Sequence, residues 1–545
     1  MADFPVEQLG NDDKPIPLGI YSAAECIDKP IEIIEANFLL TLLFPLENLP
    51  KAGELTSLLI RERIYKAAFD YCEKNQLPLI GIRHGETLLV YIHDLDLHAA
   101  LRREDFGLLE KDPDDVRVIR RIIGDNASIG MIADRKQWTI ASEIIRQTAQ
   151  ITDQTYPVVD KNIQNAIKEI LSVDNLGDKP KNGFRNIEDI YKRNIGNIIG
   201  DLVFGDELTP EEAQTIDDFS VSVVNAMQEA QLNPSEDIDE WSGMEQATLN
   251  RQQMRQMFDD KITALFTEYI FVDKWVYEGE LTPKRKFIFP TGFKFPDTVL
   301  GRQIAKLIEA GITDFDHIVD LLADNLTVAI LAGTHTTYSA LCSMMKHVDG
   351  NIDAVADELE ALGFTGDRVP SSEEIYQLIK DGKAPELFNF THEGLRNNGS
   401  VVVRTIRKLK KGVKVGTPFG TLNDDMKLVL PIADMGQSEI YWDKPEEFNP
   451  HRFGDDLSSL LSRENQDGLV AHFPFEAGGS RGPRVCPGAL LAMLEMLTAN
   501  ALLAIFLKKA NVTLKKFFAL EMTAANISKP VFEWYRIVPK KVVEG

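Results

Sequence analysis

Apolar positions in the first half of the chain recur mostly at helical spacing. Residues 61–74 carry an apolar stripe that predicts an amphipathic helix. Residues 77–92 form two short apolar runs separated by a Gly-containing turn, which predicts a β-hairpin. Residues 117–171 and 211–271 are again dominated by helical patterns, whereas residues 1–55 show no regular spacing.

The second half contains the strongest pattern. A polar start near Asp314 is followed by an apolar run to Met345, which predicts one long buried helix. The fold class predicted from the whole pattern is mainly α with a minor β region. The remaining elements are predicted as two short helices, alternating strands, a final helix and closing short strands, at 352–362, 386–396, 412–432, 487–507 and 514–542.

Composition limits the classes of protein that fit. The 545 residues are 44 % apolar without a break in composition, so a single domain over 1–545 is expected, with 1–55 as an irregular N-terminal extension. The net charge of −25 argues against nonspecific nucleic-acid binding, which needs cationic surfaces. No run is predicted to span a membrane and the N-terminus lacks a signal-peptide pattern, so a cytoplasmic location is expected.

One of the four cysteines has an unusual setting. None of the four lies in a clustered metal-binding spacing, which argues against zinc or iron–sulfur ligation. Cys486, however, ends a glycine-rich, arginine-containing loop and is followed directly by an apolar helix with Pro487 in its first turn. A thiolate in such a loop can bind a metal, and haem iron is the metal centre that suits it best.

The centre of the long helix reads Ala332-Gly-Thr-His-Thr-Thr337, which is an unusual sequence for a buried helix. Glycine costs about 1 kcal/mol relative to alanine there, and threonine hydroxyls compete for backbone carbonyls. Two interpretations remain open. The stretch is either a helix–helix contact through small residues, or a local opening where a small ligand meets a proton relay.

A second pattern concerns Glu393 and Arg396, which are three residues apart and share one helix face. A solvated surface pair is the common explanation. The downstream segment Trp442–Phe453 is rich in prolines and aromatic residues and contains Arg452. A Glu393 carboxylate held between Arg396 and Arg452 would instead form a buried charge network.

These elements, in this order, resemble the cytochrome P450 superfamily. The resemblance covers residues 321–507 and depends on four motifs: the oxygen-activation motif at 332–337, Glu393 to Arg396, the segment 445–453, and the cysteine loop with its helix, matched by Cys486, Gly488, Ala492 and Glu495. It implies haem b with Cys486 as axial ligand of the iron.

The resemblance also implies roles for individual side chains. Thr336, His335 and Gly333 would handle oxygen and protons on the central helix. The haem-contacting residues would be Arg484, Arg404, Trp138, Phe475 and Gly488, with Arg481 and Arg407 as rivals for the propionates.

Three departures from the family pattern change these expectations. Phe475 lies eleven residues before Cys486 instead of seven, so the loop carries four extra residues. His335 replaces the usual acid before Thr336, as in sterol demethylase-like members. Ser142 stands where an arginine usually follows Trp138, and Arg146 one turn later is not expected to reach the haem.

The predicted function is a soluble haem-thiolate monooxygenase that oxidises a small organic molecule by hydroxylation or oxidative coupling. Dioxygen and two electrons would be needed, with a separate ferredoxin or flavodoxin and its reductase as donor. The elongated loop leaves a peroxide-dependent oxygenase or an electron-independent isomerase or dehydratase as the alternative. A non-catalytic haem sensor is the alternative from another class.

Overall fold

The computed structural model describes residues 16–17, 30–31, 33–35, 57–84, 87–104, 107–130, 135–172, 184–205, 208–232, 241, 243–277, 280–399, 404–453, 475, 486–524 and 527–539.

Helices form most of the described part of the chain, and the longest of them, α10, lies at its centre. In chain order the helices are Ser57–Asn75 (α1), Leu95–Arg103 (α2), Pro113–Ile122 (α3), Arg135–Thr148 (α4), Thr155–Leu171 (α5), Ile187–Phe204 (α6), Pro210–Leu232 (α7), Met244–Phe266 (α8), Val299–Glu309 (α9), Phe315–Met345 (α10), Val348–Ala361 (α11), Ser372–Lys380 (α12), Pro385–Gly394 (α13) and Ala489–Ala510 (α14).

The strands form small sheets at the margins of the helical body. They are Ile16–Pro17 (β1), Ile33–Glu35 (β2), Leu79–His84 (β3), Thr87–Ile92 (β4), Leu109–Lys111 (β5), Phe184–Asn186 (β6), Ile270–Tyr277 (β7), Glu280–Phe287 (β8), Arg404–Leu409 (β9), Val415–Thr417 (β10), Gly420–Leu422 (β11), Met426–Pro431 (β12), Val512–Ala524 (β13) and Ile527–Pro539 (β14).

The largest sheet has six strands in the order β2-β3-β4-β12-β9-β5. Strand β12 runs parallel to β4 and antiparallel to β9, so this sheet joins the beginning of the chain to its last third. Helix α1 packs on one face, where Ile64, Tyr65 and Ala68 meet Ile80 and Ile82 in a separate hydrophobic cluster. The sheet therefore forms a lobe beside the main helical core.

Helix α10 begins as its sequence predicts. The Asp314 carboxylate accepts a hydrogen bond from the His317 backbone N–H at 2.8 Å, which satisfies one of the unpaired amides at the helix start. All residues from 321 to 330 and from 337 to 345 are buried, because α10 contacts α4, α6, α8 and α14. This burial accounts for the long apolar run in the sequence.

The predicted fold class, mainly α with a minor β region, is confirmed. The hairpin β3–β4 and the helices α1, α10 and α14 lie within one to four residues of their predicted ends. The range 211–271 is helix-rich as predicted, although the α-helix ends at Phe266 and the β7–β8 hairpin begins at Ile270. One prediction was wrong. The closing strands, predicted to be short, are two antiparallel strands of 13 residues each.

The range 1–55 is not entirely irregular. Strand β2 pairs in parallel with β3, and β1 pairs in parallel with β10, so two short pieces of this range extend the sheets. A pattern of two or three residues is too short to show a periodicity, which explains why these strands were not predicted.

Helix α14 is the one helix in the described part of the chain that is long and apolar enough to cross a membrane. In this fold it packs inside the protein, and 78 % of its most apolar window is buried.

Candidate functional site

The middle of α10 faces an opening in the helical body. Ala332 is exposed, and Leu331, Gly333, His335 and Thr336 are partly exposed, although the turns before and after them are buried. A core helix presents such a stretch only where a cavity or cleft lies beside it. The oxygen-activation motif predicted from the sequence therefore lines an accessible space.

Helix packing explains why residue 333 is a glycine. A Cβ at this position would lie 2.9 Å from Ile199 Cδ1 on α6, too close for an ordinary contact. The predicted small-residue contact between helices thus exists. A local opening of the helix does not, because α10 is continuous from Phe315 to Met345. The accessible space therefore lies beside the helix rather than within it.

Thr336 and His335 make different use of their polar groups. The Thr336 hydroxyl donates to the Ala332 carbonyl oxygen at 2.8 Å, which leaves its oxygen lone pairs to accept from the accessible side. His335 Nδ1 lies 3.2 Å from Tyr338 Oη, one turn further along the helix. Both side chains can therefore hold protons at the edge of the opening.

Cys486 lies just before α14. Its side chain is partly buried, its N–H donates to the Phe475 carbonyl oxygen at 3.2 Å, and its carbonyl accepts from Ala489 N at 3.4 Å. The N-terminus of a helix stabilises a thiolate because its unpaired amides and its dipole favour negative charge. Phe475 is thus brought to Cys486 even though eleven residues separate them in sequence.

Gly488 lies next to both the cysteine and α4. A Cβ placed on it would be 3.9 Å from Cys486 Sγ and 4.0 Å from Ala149 Cβ, just beyond the end of α4. Trp138 is partly buried in the first turn of α4, at the opposite end of that helix from Ala149. Arg146 forms an exposed ion pair with Glu143 at 2.8 Å, and the expectation that it does not reach the haem stays a prediction.

The arginines predicted to contact the propionates have different positions. Arg484, its rival Arg481 and the rest of the loop between 476 and 485 lie outside the described residues. Arg404 is buried in β9, with its guanidinium 4.3 Å from the centre of the Tyr65 ring. Arg407 is also buried, and its Nη1 donates to the Ile406 carbonyl at 3.0 Å. The propionate role of all of them stays a prediction.

Glu393, Arg396 and Arg452 lie together in the interior. Arg396 donates to both oxygens of Glu393, at 2.7 Å and 2.8 Å, and Arg452 Nε donates to the same carboxylate at 3.3 Å. The Asn449 N–H adds a bond at 2.9 Å. Both side chains of the Glu393–Arg396 pair are fully buried, so the pair is not a solvated one. Arg396 occupies a π-helical turn, Leu395–Gly399, directly after α13.

Glu495 is a feature that motif matching did not explain. It is fully buried in α14, and neither carboxylate oxygen has a hydrogen-bond partner of good geometry among the described residues. Burial raises the pKa of Glu495 to about 8, while the nearby Thr337 hydroxyl on α10 lowers it in part. The carboxyl is therefore mostly protonated at neutral pH. An acidic residue inside a 22-residue apolar helix was the available signal.

Glu495→Gln is expected to change how stability depends on pH. In the unfolded chain the carboxyl ionises near its ordinary value of 4.5, whereas the folded protein keeps the proton until about pH 8. The folded state thus binds the extra proton, and stability falls as pH rises from 4.5 to 8. By pH 7 this loss is about 3 kcal/mol. Urea unfolding from pH 5 to 8 should show a shallower decline for the glutamine variant, and equal slopes would refute the assignment.

A polar clasp joins α10 to the loop between α3 and α4. Asp324 accepts from the backbone and side chain of Asn126 at 3.3 Å and 3.1 Å, and from Arg251 at 3.2 Å. Asn325 accepts from Ser128 N and donates to Asn126 O, both at 2.9 Å. The clasp lies about two turns before Ala332, so it holds this loop near the opening. Asp324-Asn325 within an apolar run was the sequence signal, because buried polar groups need partners.

Gly124 makes this clasp possible. Its φ of +139° belongs almost only to glycine, and a Cβ on it would lie 2.2 Å from Asp324 Oδ2. We expect Gly124→Ala to destabilise the protein by about 2–3 kcal/mol, measured by urea unfolding. Gly311→Ala is the matched control, because Gly311 also has a positive φ, +82°, but no atom near its Cβ position. Equal losses for both variants would show that the contact with Asp324 adds nothing.

The residues around the opening fit the haem that the sequence resemblance implies. A partly buried thiol lies at the start of α14, the accessible stretch lies on α10, and the two helices pack together where Glu495 meets Thr337. Among the described residues no group of three or more His, Cys, Asp or Glu could hold a metal ion. A single thiolate ligand suits haem iron, because the porphyrin itself supplies nitrogen ligands to the metal.

Comparisons with known proteins agree with this geometry. The family model described as cytochrome P450 matches residues 318–517. Cytochrome P450 93B2 of Gerbera hybrida is 31 % identical over 186 residues, which are 33 % of this chain and 32 % of that protein. The carotene epsilon-monooxygenase of Arabidopsis thaliana is 28 % identical over 203 residues, 37 % of this chain and 34 % of that protein. The matched stretch thus spans about a third of the length of these curated relatives.

Solved structures extend the likeness over most of the chain. A zebra fish cytochrome P450 in a structure with abiraterone superposes with a TM-score of 0.62 at 17 % identity, covering 87 % of this chain and 98 % of that one. At this identity the match concerns the fold. The family match covers the motif-bearing segment and the shared fold covers most of the chain, so the chain has the cytochrome P450 fold and its residues 318–517 resemble that family.

Proposed function

We propose that the protein is a haem-thiolate monooxygenase that oxidises a small organic molecule with dioxygen and two external electrons. The observation that supports this proposal is that Cys486 directly precedes α14, a helix that packs against α10, whose accessible stretch contains Thr336. Haem b, held by the Cys486 thiolate, would supply dioxygen activation when bound.

The side chains of this chain have distinct tasks in the proposal. The amides at the start of α14 stabilise negative charge on sulfur. Thr336 accepts hydrogen bonds at the opening while its own hydroxyl donates to the Ala332 carbonyl oxygen. His335 holds a proton beside it. Arg484, Arg404 and Trp138 are proposed to bind the propionates, and Phe475 and Gly488 shape the space around sulfur.

We also propose that electrons come from a separate ferredoxin or flavodoxin with its reductase, and that the protein works in the cytoplasm without a membrane span. Hydroxylation and oxidative coupling are equally compatible with the site. The buried position of α14 supports the absence of a span, because its apolar face contacts the protein core.

Two measurements test the proposal. The reduced, CO-bound absorption spectrum should show the Soret band of thiolate-ligated haem, and a histidine-type band would contradict it. Product formation should then require dioxygen and an electron donor. Turnover with peroxide alone would favour the peroxide-dependent alternative. If no candidate substrate shifts the iron spin state, a haem sensor becomes the better explanation.

A further inference from the structure

The side chain of His335 extends from the edge of the opening toward the protein interior. Its Nδ1 lies 3.2 Å from Tyr338 Oη, and the two rings are 5.4 Å apart. His335 is partly exposed, whereas Tyr338 is 1 % exposed. One hydrogen-bonded pair therefore connects the accessible stretch of α10 with a buried hydroxyl.

The charged groups near Tyr338 come from two neighbouring helices. Glu188 lies in the first turn of α6, and Asp217 lies on α7, where it forms an ion pair with Lys192 of α6. Burial, followed by the charge of Glu188, raises the pKa of Tyr338, with smaller contributions from Cys342 and Asp217. The hydroxyl thus keeps its proton at neutral pH. A tyrosine hydroxyl can accept and donate a hydrogen bond at the same time.

Helix α6 is packed closely against α10 at this level. A Cβ on Gly196 would lie 3.5 Å from Thr334 Cγ2, and one on Gly333 would lie 2.9 Å from Ile199 Cδ1. Glu188 is partly exposed at the start of α6. The helix that carries Glu188 is thus held in place relative to α10 by close packing.

We propose that Tyr338 is a positioning residue, whose buried hydroxyl holds the His335 ring in place through its contact with Nδ1. This inference depends on the proposed monooxygenase function, in which His335 handles protons at the opening. Tyr338 acts through His335 and transfers no proton itself. Without the tyrosine hydroxyl the ring loses this orientation, and proton delivery at the opening becomes slower.

The test compares Tyr338→Phe with Tyr191→Phe in the haem-loaded protein. Tyr191 is a matched control, because it is also fully buried and its hydroxyl contacts only Met345 Sδ, at 4.0 Å, among the contacts of the described residues. We expect product formation by Tyr338→Phe to fall about tenfold, less than the hundredfold or more contributed by a proton-transferring group itself. Peroxide release per electron consumed should rise, and the solvent isotope effect should increase.

A second readout does not depend on turnover. In the ferrous CO form of protein labelled with ¹³C-histidine, the His335 signal can be assigned with His335→Gln. Its titration midpoint should move in Tyr338→Phe and stay unchanged in Tyr191→Phe.

The possible results distinguish a failure of the proposed monooxygenase function from a failure of the role proposed for Tyr338. If wild-type protein lacks the thiolate CO spectrum or oxygen-dependent product, the proposed function fails, whatever the variants do. If wild-type protein is active and both tyrosine variants behave alike in coupling, isotope effect and His335 titration, Tyr338 has no positioning role. A loss of haem binding in Tyr338→Phe that parallels the loss of product would likewise overturn it, since that result indicates a structural role.

Discussion

Replacing Cys486 by serine is expected to abolish the thiolate CO spectrum and all oxygen-dependent product formation. The reason is that the hydroxyl of serine stays protonated at neutral pH and cannot replace the thiolate as the strong electron-donating ligand of haem iron. Serine preserves the size of the side chain, and the backbone bonds of residue 486 to Phe475 and Ala489 do not involve sulfur. The fold should therefore persist while the spectrum changes.

The control for this experiment is Cys72→Ala. Cys72 is fully buried in the cluster between α1 and the six-stranded sheet, and burial raises the pKa of its thiol to about 12. It therefore remains a neutral thiol, and its removal should leave the CO spectrum unchanged. A thiolate spectrum that survives in Cys486→Ser would contradict the assignment of the ligand.

Glu393→Gln is expected to be the most destabilising of the substitutions considered. The change keeps the shape of the side chain but removes the charge that balances Arg396 and Arg452 in the interior. Breaking a buried ion pair on one side costs about 3–5 kcal/mol, because the remaining charge is left uncompensated. Urea unfolding of the purified protein measures the loss, and the yield of haem-containing protein measures it if folding fails.

Two further variants make this prediction specific. Glu143→Gln removes a carboxylate from an exposed pair with Arg146 and should cost no more than about 1 kcal/mol. Arg452→Lys keeps the positive charge near Glu393 but cannot reproduce the forked bonds to the backbone carbonyls of Lys444 and Glu447. The loss of stability in Arg452→Lys should therefore lie between the losses in Glu143→Gln and Glu393→Gln. A Glu393→Gln protein as stable as Glu143→Gln would show that the network contributes little.

The helices were predicted well where a long apolar run with a polar start was present in the sequence. Helix α10 and its start at Asp314 follow from a single apolar run with a polar cap. The Glu393 network was also predictable, because three charged residues occur in segments that family resemblance brings together. In both cases a local pattern and a long-range partner agreed.

The elements that escaped prediction lack such a pattern. The β7–β8 hairpin carries many charged residues and no clear alternation, and β1 and β2 are two and three residues long. The pairing of His335 with Tyr338 depends on which rotamer the ring adopts, a choice that sequence spacing alone leaves open. The pKa of Glu495 depends on complete burial, which is a property of packing in three dimensions.

The close contact between α6 and α10 has a mechanical consequence. Because Gly333 meets the Ile199 side chain and Gly196 meets the Thr334 side chain without a Cβ between them, steric overlap opposes a slide or rotation of one helix past the other. We therefore expect the two helices to move as one unit when the opening beside α10 changes shape. Movement is left to elements held by exchangeable polar contacts, above all the α3–α4 loop, whose bonds to Asp324 and Asn325 can break and re-form. We therefore expect the α10 side of the site, which carries Thr336, to stay fixed while the α3–α4 loop changes position.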